Sequence, residues 1–234
     1  GSVDMGGTLT PVEKVTPWEV KIGDAVSNLN AQIKKGQKSV YITVNKAIPV
    51  LGIRTQNVGK SFLAHAGVNP VIDYNNAVDF NEASEGTAKL KLDVQDATDT
   101  TIGKLEANIF TGAGVARSDA AGGDAYSAYY DGASFQGGIG NSGQVIDSLS
   151  SLISELNSID PEITANFTQM GKIDVGTRGA PDFAENGDKG GSYSAFYGSG
   201  IKANEKIRIT LNQAVSDSAS IQWKASLPVI VTYM

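Results

Sequence analysis

The chain has 234 residues, 27 of them glycine and none cysteine, and a net charge of −6. Disulfide staples and thiolate metal sites are therefore excluded. With no basic run longer than Lys34-Lys35, a nucleic-acid or anionic-membrane surface is not expected. The length suits one large β domain that buries a sizeable core. No apolar stretch approaches the roughly 20 residues a membrane helix needs, and no charged-then-apolar leader opens the chain, so the expectation is a mature secreted protein, soluble once released.

Residues 1–10 (GSVDMGGTLT) alternate as a strand does, with Val3, Met5, Gly7 and Leu9 on one face. Residues 18–22 (WEVKI), 39–44, 88–94 and 206–211 alternate apolar and polar side chains, the signature of half-buried antiparallel strands. The acid-rich stretches 75–86 and 95–101 read as connections. From 112 to 143 the chain is rich in Gly, Ala and Ser and carries Tyr126, Tyr129, Tyr130 and Phe135. The period then changes: Val145, Ile146, Leu149, Leu152, Ile153 and Leu156 fall at helical spacing. A second short helix is predicted to follow, with Asp160 as N-cap, Pro161 in its first turn, and Ile163 and Phe167 on its inner face. Alternation returns at 192–197. The last strand, residues 227–234 (LPVIVTYM), places Leu227, Val229, Val231 and Tyr233 on one face.

Together these elements predict a mainly β, two-sheet sandwich with an inserted helical subdomain at about residues 112–175. Apolar strands at both termini, with no partner nearby in sequence, are edges open to pairing with another chain, which points to a polymer subunit.

Catalytic constellations are not apparent. The single histidine, His65, lies in LAHAG without a Gly-x-Ser-x-Gly elbow, and one His without Cys leaves no zinc site and no expected cofactor. The Gly-rich stretches lack a phosphate-loop pattern and read as flexible turns; the acidic loop 182–188 lacks calcium-hand spacing. Tyr126, Tyr129, Tyr130 and Phe135 beside Asp124, Asp131 and Gln136 mix ring faces with groups that bond hydroxyls. That mixture suits a glycan, with Tyr126, Tyr129, Tyr130, Asp131 and Phe135 as candidates. The opposing reading is that the aromatics seal the helices onto the sandwich.

The segments GSVDMGG (1–7), WEVKIG (18–23), SAFY (194–197) with Gly200-Ile201, LNQAV (211–215) and QW (222–223) leading to VTY (231–233) together resemble the FaeG-type chaperone/usher fimbrial subunits of enterobacteria, in which the major pilin also acts as adhesin. The resemblance implies an incomplete immunoglobulin-like pilin fold with a groove left by an absent strand. It implies that residues 1–17 form a donor extension ahead of a pilin domain at 18–234. Val3, Met5, Gly7 and Leu9 are then the donor face, and Leu227, Val229, Val231 and Tyr233 line the groove edge that the chaperone also contacts. The implied partners are neighbouring fimbrial subunits, a periplasmic chaperone, an outer-membrane usher and host-cell glycans. The implied location is a fimbrium on the bacterial cell surface, reached through the periplasm. A minor or tip subunit without glycan binding is the alternative within this fold, and a β-sandwich carbohydrate-active enzyme the alternative outside it.

Overall fold

The computed structural model describes residues 2–9, 15–57, 59–185, 191–216 and 220–234. The strands run in chain order β1 (Trp18–Ile22), β2 (Ser39–Thr43), β3 (Ile48–Thr55), β4 (Phe62–Leu63), β5 (Pro70–Asp73), β6 (Val78–Ser84), β7 (Thr87–Gln95), β8 (Thr101–Asp119) and β9 (Gly122–Tyr129). Helix α1 (Leu149–Ile159) and a 3-10 turn (Pro161–Thr164) follow, then β10 (Asp174–Gly179), β11 (Ser192–Ile201), β12 (Lys206–Leu211) and β13 (Ile230–Tyr233). The predicted mainly β, open sandwich of pilin type is the fold found, and no helix among the described residues is long and apolar enough to cross a membrane.

The long strand β8 organises the sheet. Its lower half pairs with β12 on one side and β7 on the other; its upper half pairs with β11 and β9. β1 and β3 extend the upper half beyond β11, and β2 extends the lower half beyond β12. A two-stranded sheet, β13 with β5, lies across the inner face. Between the layers sits an aromatic core in which Trp18, Phe135 and Phe183 meet edge to face. At its centre the Tyr74 hydroxyl bonds those of Tyr197 and Ser199, each at 2.7 Å, and Tyr197 donates to the Gly138 carbonyl at 2.9 Å. Burial pushes the Tyr74 hydroxyl up to about 12, so these hydroxyls stay neutral and satisfied inside the core.

Helix α1 covers the outer face of the upper sheet. Leu149, Leu152, Leu156 and Ile159 form its buried stripe against Phe110, Ala116, Ala125 and Phe196, each large side chain contributing about 1.5–3 kcal/mol by burial. Glycines make the close approach possible: a Cβ on Gly112 would lie 2.2 Å from Leu152, and one on Gly114 2.8 Å from Leu149. The predicted stripe was right, but the helix starts at Leu149, because the Ser148 side chain caps it there by accepting from the Ser151 N–H. Asp160 caps the following turn as expected, accepting from the Glu162 N–H at 3.0 Å; the turn is 3-10 rather than α.

Asp174, on β10, accepts from the backbone N–H groups of Leu149, Ser150 and Gly176 at 3.2, 3.1 and 3.0 Å. Burial alone would raise its pKa, but these N–H bonds win and hold the carboxyl below its ordinary value. Replacing it, Asp174→Ala, should cost about 1 kcal/mol, the usual worth of a helix cap. A carboxyl with a lower pKa folded than unfolded stabilises above its unfolded value, near ~4, and loses that contribution as pH falls through the folded value. Urea titrations of both proteins should therefore show the full gap at pH 7, closing as the pH is taken below about 4. A gap independent of pH would rule out the carboxylate as the capping group.

Three expectations change. Gly112 does not begin an insertion, since residues 112–119 are the upper half of β8, and residues 122–129 form a further strand of the same sheet. The supposed connection 75–86 contains β6, an edge strand hairpinned to β7, whose acids are tolerated because that edge faces solvent. The turn at Gly137-Gly138 is packed rather than flexible: Gly137 has φ +79°, and a Cβ there would lie 2.0 Å from the Ile72 carbonyl oxygen.

Candidate functional site

The two terminal segments behave differently. β13 pairs antiparallel with β5 from Ile230 opposite Asp73 to Tyr233 opposite Pro70, and Met234 and Asn69 exchange both backbone bonds at 3.0 Å. Its other edge pairs with no strand among the described residues. Leu227, Val229, Val231 and Tyr233 all lean on the aromatic core from half-covered positions. Residues 2–9 form no strand, and Val3, Met5 and Leu9 are 87%, 93% and 97% exposed.

The second wall of this open edge was not anticipated from sequence. β1 pairs only with β3 among the described strands. Trp18 is buried, its indole N–H donating to the Val68 carbonyl at 2.8 Å. Val20 and Ile22 share its inward face by strand alternation, yet they are 42% and 50% exposed. Side chains that face the core side of a sandwich and still see water mark a place where a covering element is missing. Burial raises the Tyr233 hydroxyl pKa, and the Thr16 side chain, two residues ahead of β1, partly offsets that rise. The alternating pattern of residues 18–22 was the available signal; that the face lies uncovered is a three-dimensional fact.

The opposite face of β1 is clasped by the segment after α1. Arg54 on β3 bonds the Glu19 carboxylate at 2.9 Å and that of Glu162 at 3.0 Å, and Lys21 meets Asp160 at 3.2 Å. These pairs are largely solvent-exposed and individually contribute little; their effect is to fix β1 in place beside the open edge.

The candidate glycan residues divide. Phe135 and Tyr126 are core residues: Phe135 stacks on Tyr197, and Tyr126 packs with Val115 and Ala128. The bridge between Val71 and Gln136 pins the chain to β5 and turns Phe135 inward. Burial and the neighbouring Asp124 push the Tyr126 hydroxyl well up, so it stays protonated. Tyr130 is half-buried against the same core. Tyr129 and Asp131 line an open cleft of about 350 Å³ together with Arg117, Asp124, Arg178 and Glu185, and the buried Tyr126 also borders it. Arg178 holds Asp124 at 2.9 Å, with Arg117 3.7 Å from its other oxygen, which has no hydrogen-bond partner. Arg117 and Arg178 come from β8 and β10, strands far apart in sequence, and nothing in the sequence joined them. His65 sits on an exposed loop, its Nδ1 3.3 Å from the Ala66 carbonyl oxygen.

A β-sandwich whose uncovered edge accompanies an exposed apolar tail defines the class of polymer-forming subunits. The family described as "Fimbrial, major and minor subunit" matches residues 1–234. K88 fimbrial protein AB of Escherichia coli is 28% identical over the whole chain and 90% of that relative, and K88 fimbrial protein AC of the same species is 29% identical over the same shares. K88 fimbrial protein AD, also of Escherichia coli, is 29% identical over all of this chain. The chain belongs to this K88 fimbrial family. It is a structural component of a cell-surface fimbrium and assembles with other fimbrial subunits.

Proposed function

We infer that the chain polymerises by donor-strand exchange, its residues 1–9 filling the open edge of a neighbouring copy. The observation that carries this reading is the pairing of two uncovered apolar surfaces in one molecule: Val3, Met5 and Leu9 on the tail, and Val20 and Ile22 beside β13. Burying three apolar donor side chains at about 1.5–3 kcal/mol each, plus a main-chain ladder along β13, supports a contact that dissociates slowly without any covalent bond. Gly7 has no atom near the position of its absent Cβ and lets the donor backbone pass close to the acceptor core. Before assembly, the same edge is the surface for a periplasmic chaperone that hands the subunit to an outer-membrane usher.

Removing residues 1–9 should leave a folded subunit that accepts a neighbour's tail but offers none. The test is light scattering on size-fractionated protein, with and without a peptide of residues 1–17. Oligomers that resolve into peptide-bound monomers of raised melting temperature are expected. A chain whose size and stability ignore the peptide would sink the reading.

Adhesion to host glycans is a second reading, favoured by the open cleft in which Tyr129 offers a ring and Asp131 a carboxylate. Tyr129→Ala with Asp131→Ala should abolish cell binding and leave melting unchanged, whereas Tyr126→Ala or Phe135→Ala should lower melting by destabilising the core. Cell binding that survives the surface pair would place adhesion elsewhere.

A further inference from the structure

One face of β8 is divided in two. Its residues Phe110, Gly112, Gly114 and Ala116 lie under α1, and the same face continues downward through Asn108, Glu106 and Lys104 with no helix over it. Strand register extends this bare surface sideways: Tyr41 on β2, Arg208 on β12, Glu106 on β8 and Lys91 on β7 stand in one row. Thr43 stands opposite Lys206, and Asn108 opposite Lys89. A depression of about 520 Å³ runs across the platform, between Lys89, Lys91, Glu106, Lys206 and Arg208, with Asp79 at its β6 margin. α1 stands above it, since Lys202 reaches over the Phe110 ring to pair with Glu155 of the helix.

The charge of this platform opposes that of the molecule. Lys89, Lys91, Lys104, Lys206 and Arg208 stand among four acids, Asp79, Asp93, Glu106 and Glu205, the last accepting from the Asn108 amide at 3.4 Å, which leaves fourteen cations against twenty-one acids elsewhere in the chain. Lys104 and Lys91 pair with Asp93 and Glu106, but Lys206 and Arg208 have no ion pair among the described residues, and Lys89 bonds only the Asn108 amide. Adjacent unpaired cations on neighbouring positions of a sheet repel one another. Beside them Tyr41 is 59% exposed, an aromatic of the kind that anchors interface centres.

We propose that this platform is the face on which the acidic surface of a second copy of the chain packs along the fibre. Charge complementarity is the argument: a predominantly acidic molecule with one cationic face attracts its own kind head to tail, and such a heterologous contact propagates rather than closes. A free polyanion is the poorer fit, because Asp79, Asp93, Glu106 and Glu205 interrupt the cations, whereas a protein surface offers both signs. The proposal needs only that the chain is a fimbrial subunit and is independent of how its strands are exchanged.

Carbodiimide cross-linking of fimbriae assembled from mixed light and heavy isotope subunits tests it. Intersubunit amides from Lys89 and Lys206 to carboxylates of the neighbour are expected near 0.1 M salt. Their yield should fall severalfold near 1 M, where the screening length drops from about 10 to about 3 Å. Lys206→Glu with Arg208→Glu should lower the Lys89 cross-link about tenfold and change the fibre's pitch or width in electron micrographs, at unchanged subunit melting. Lys206→Ala with Arg208→Ala should act in the same direction should the reversed charges impair folding. Cross-links confined within single subunits would overturn the proposal, as would platform variants that leave both cross-links and fibre geometry unaltered. Saturable binding of a heparin oligosaccharide, lost in the variants and without intersubunit cross-links, would overturn it in favour of a polyanionic ligand.

Discussion

Truncating one helix side chain, Leu152→Ala, is expected to lower the unfolding free energy by about 3 kcal/mol and the melting temperature by roughly 6–12 °C. Leu152 is fully buried, and its terminal methyl occupies the space that the missing Gly112 side chain leaves free. Relaxation into the vacated volume is restricted from both sides. The sheet below is a hydrogen-bonded ladder between β8 and β11, and the helix above is fixed at its start by Ser148 and Asp174 and at its end by Asp160. A cavity that cannot collapse costs the lost transfer energy plus the void. Ile153→Ala, at a half-covered position on the same helix, should cost about 1 kcal/mol, so the two variants side by side separate packing from helix propensity, which Ala improves in both. Equal losses in a chemical denaturation series would mean that α1 is not clamped onto β8.

The pairing of small and large residues across this interface also explains what the sequence made visible. The stripe from Leu149 to Leu156 was legible because a helix repeats its apolar positions every three or four residues and buries them on one face. Its complement in β8 was not. Gly112, Gly114 and Ala116 have low intrinsic strand preference, and they form a strand because the helix needs a surface without side chains. Local pattern therefore read as irregular where tertiary packing had selected smallness. Phe135 misled for the related reason that it sits among glycines: its burial depends on a bridge from Gln136 to β5, across a long stretch of sequence. Asp160 was legible, since an acid before proline at a helix boundary is a local signal. The terminal strand patterns were legible too, and Leu227, Val229, Val231 and Tyr233 do share the core-facing side. The cleft around Asp124 was hidden because Arg178 joins Arg117 and Asp131 only through the parallel pairing of β10 with β9, while Arg117 is set opposite Asp124 by the pairing of β8 with β9.

Charging the wall of the open edge should separate folding from assembly more sharply than any core substitution. In Val20→Asp with Ile22→Asp, both new carboxylates enter positions that are already 42% and 50% exposed. They can reach water, so the isolated subunit should lose no more than about 1–2 kcal/mol, chiefly from the poorer strand preference of Asp. Covering the same positions with a donor strand changes the balance. Each Asp then forfeits the burial of a large apolar side chain, worth about 1.5–3 kcal/mol, and must in addition be dehydrated or protonated. No cation is placed to rescue them: Lys21 projects to the other face and is engaged by Asp160, and Arg54 lies between Glu19 and Glu162. A loss of at least about 4 kcal/mol of binding follows, or roughly a thousandfold in affinity for a fluorescent peptide of residues 1–17. The reciprocal substitution, Met5→Asp in that peptide, should weaken binding to the unmodified subunit in the same way, and it leaves the subunit untouched. If both pairings bind as tightly as wild type, the strand that completes this edge does not lie against Val20 and Ile22, and the tail must serve assembly at another surface.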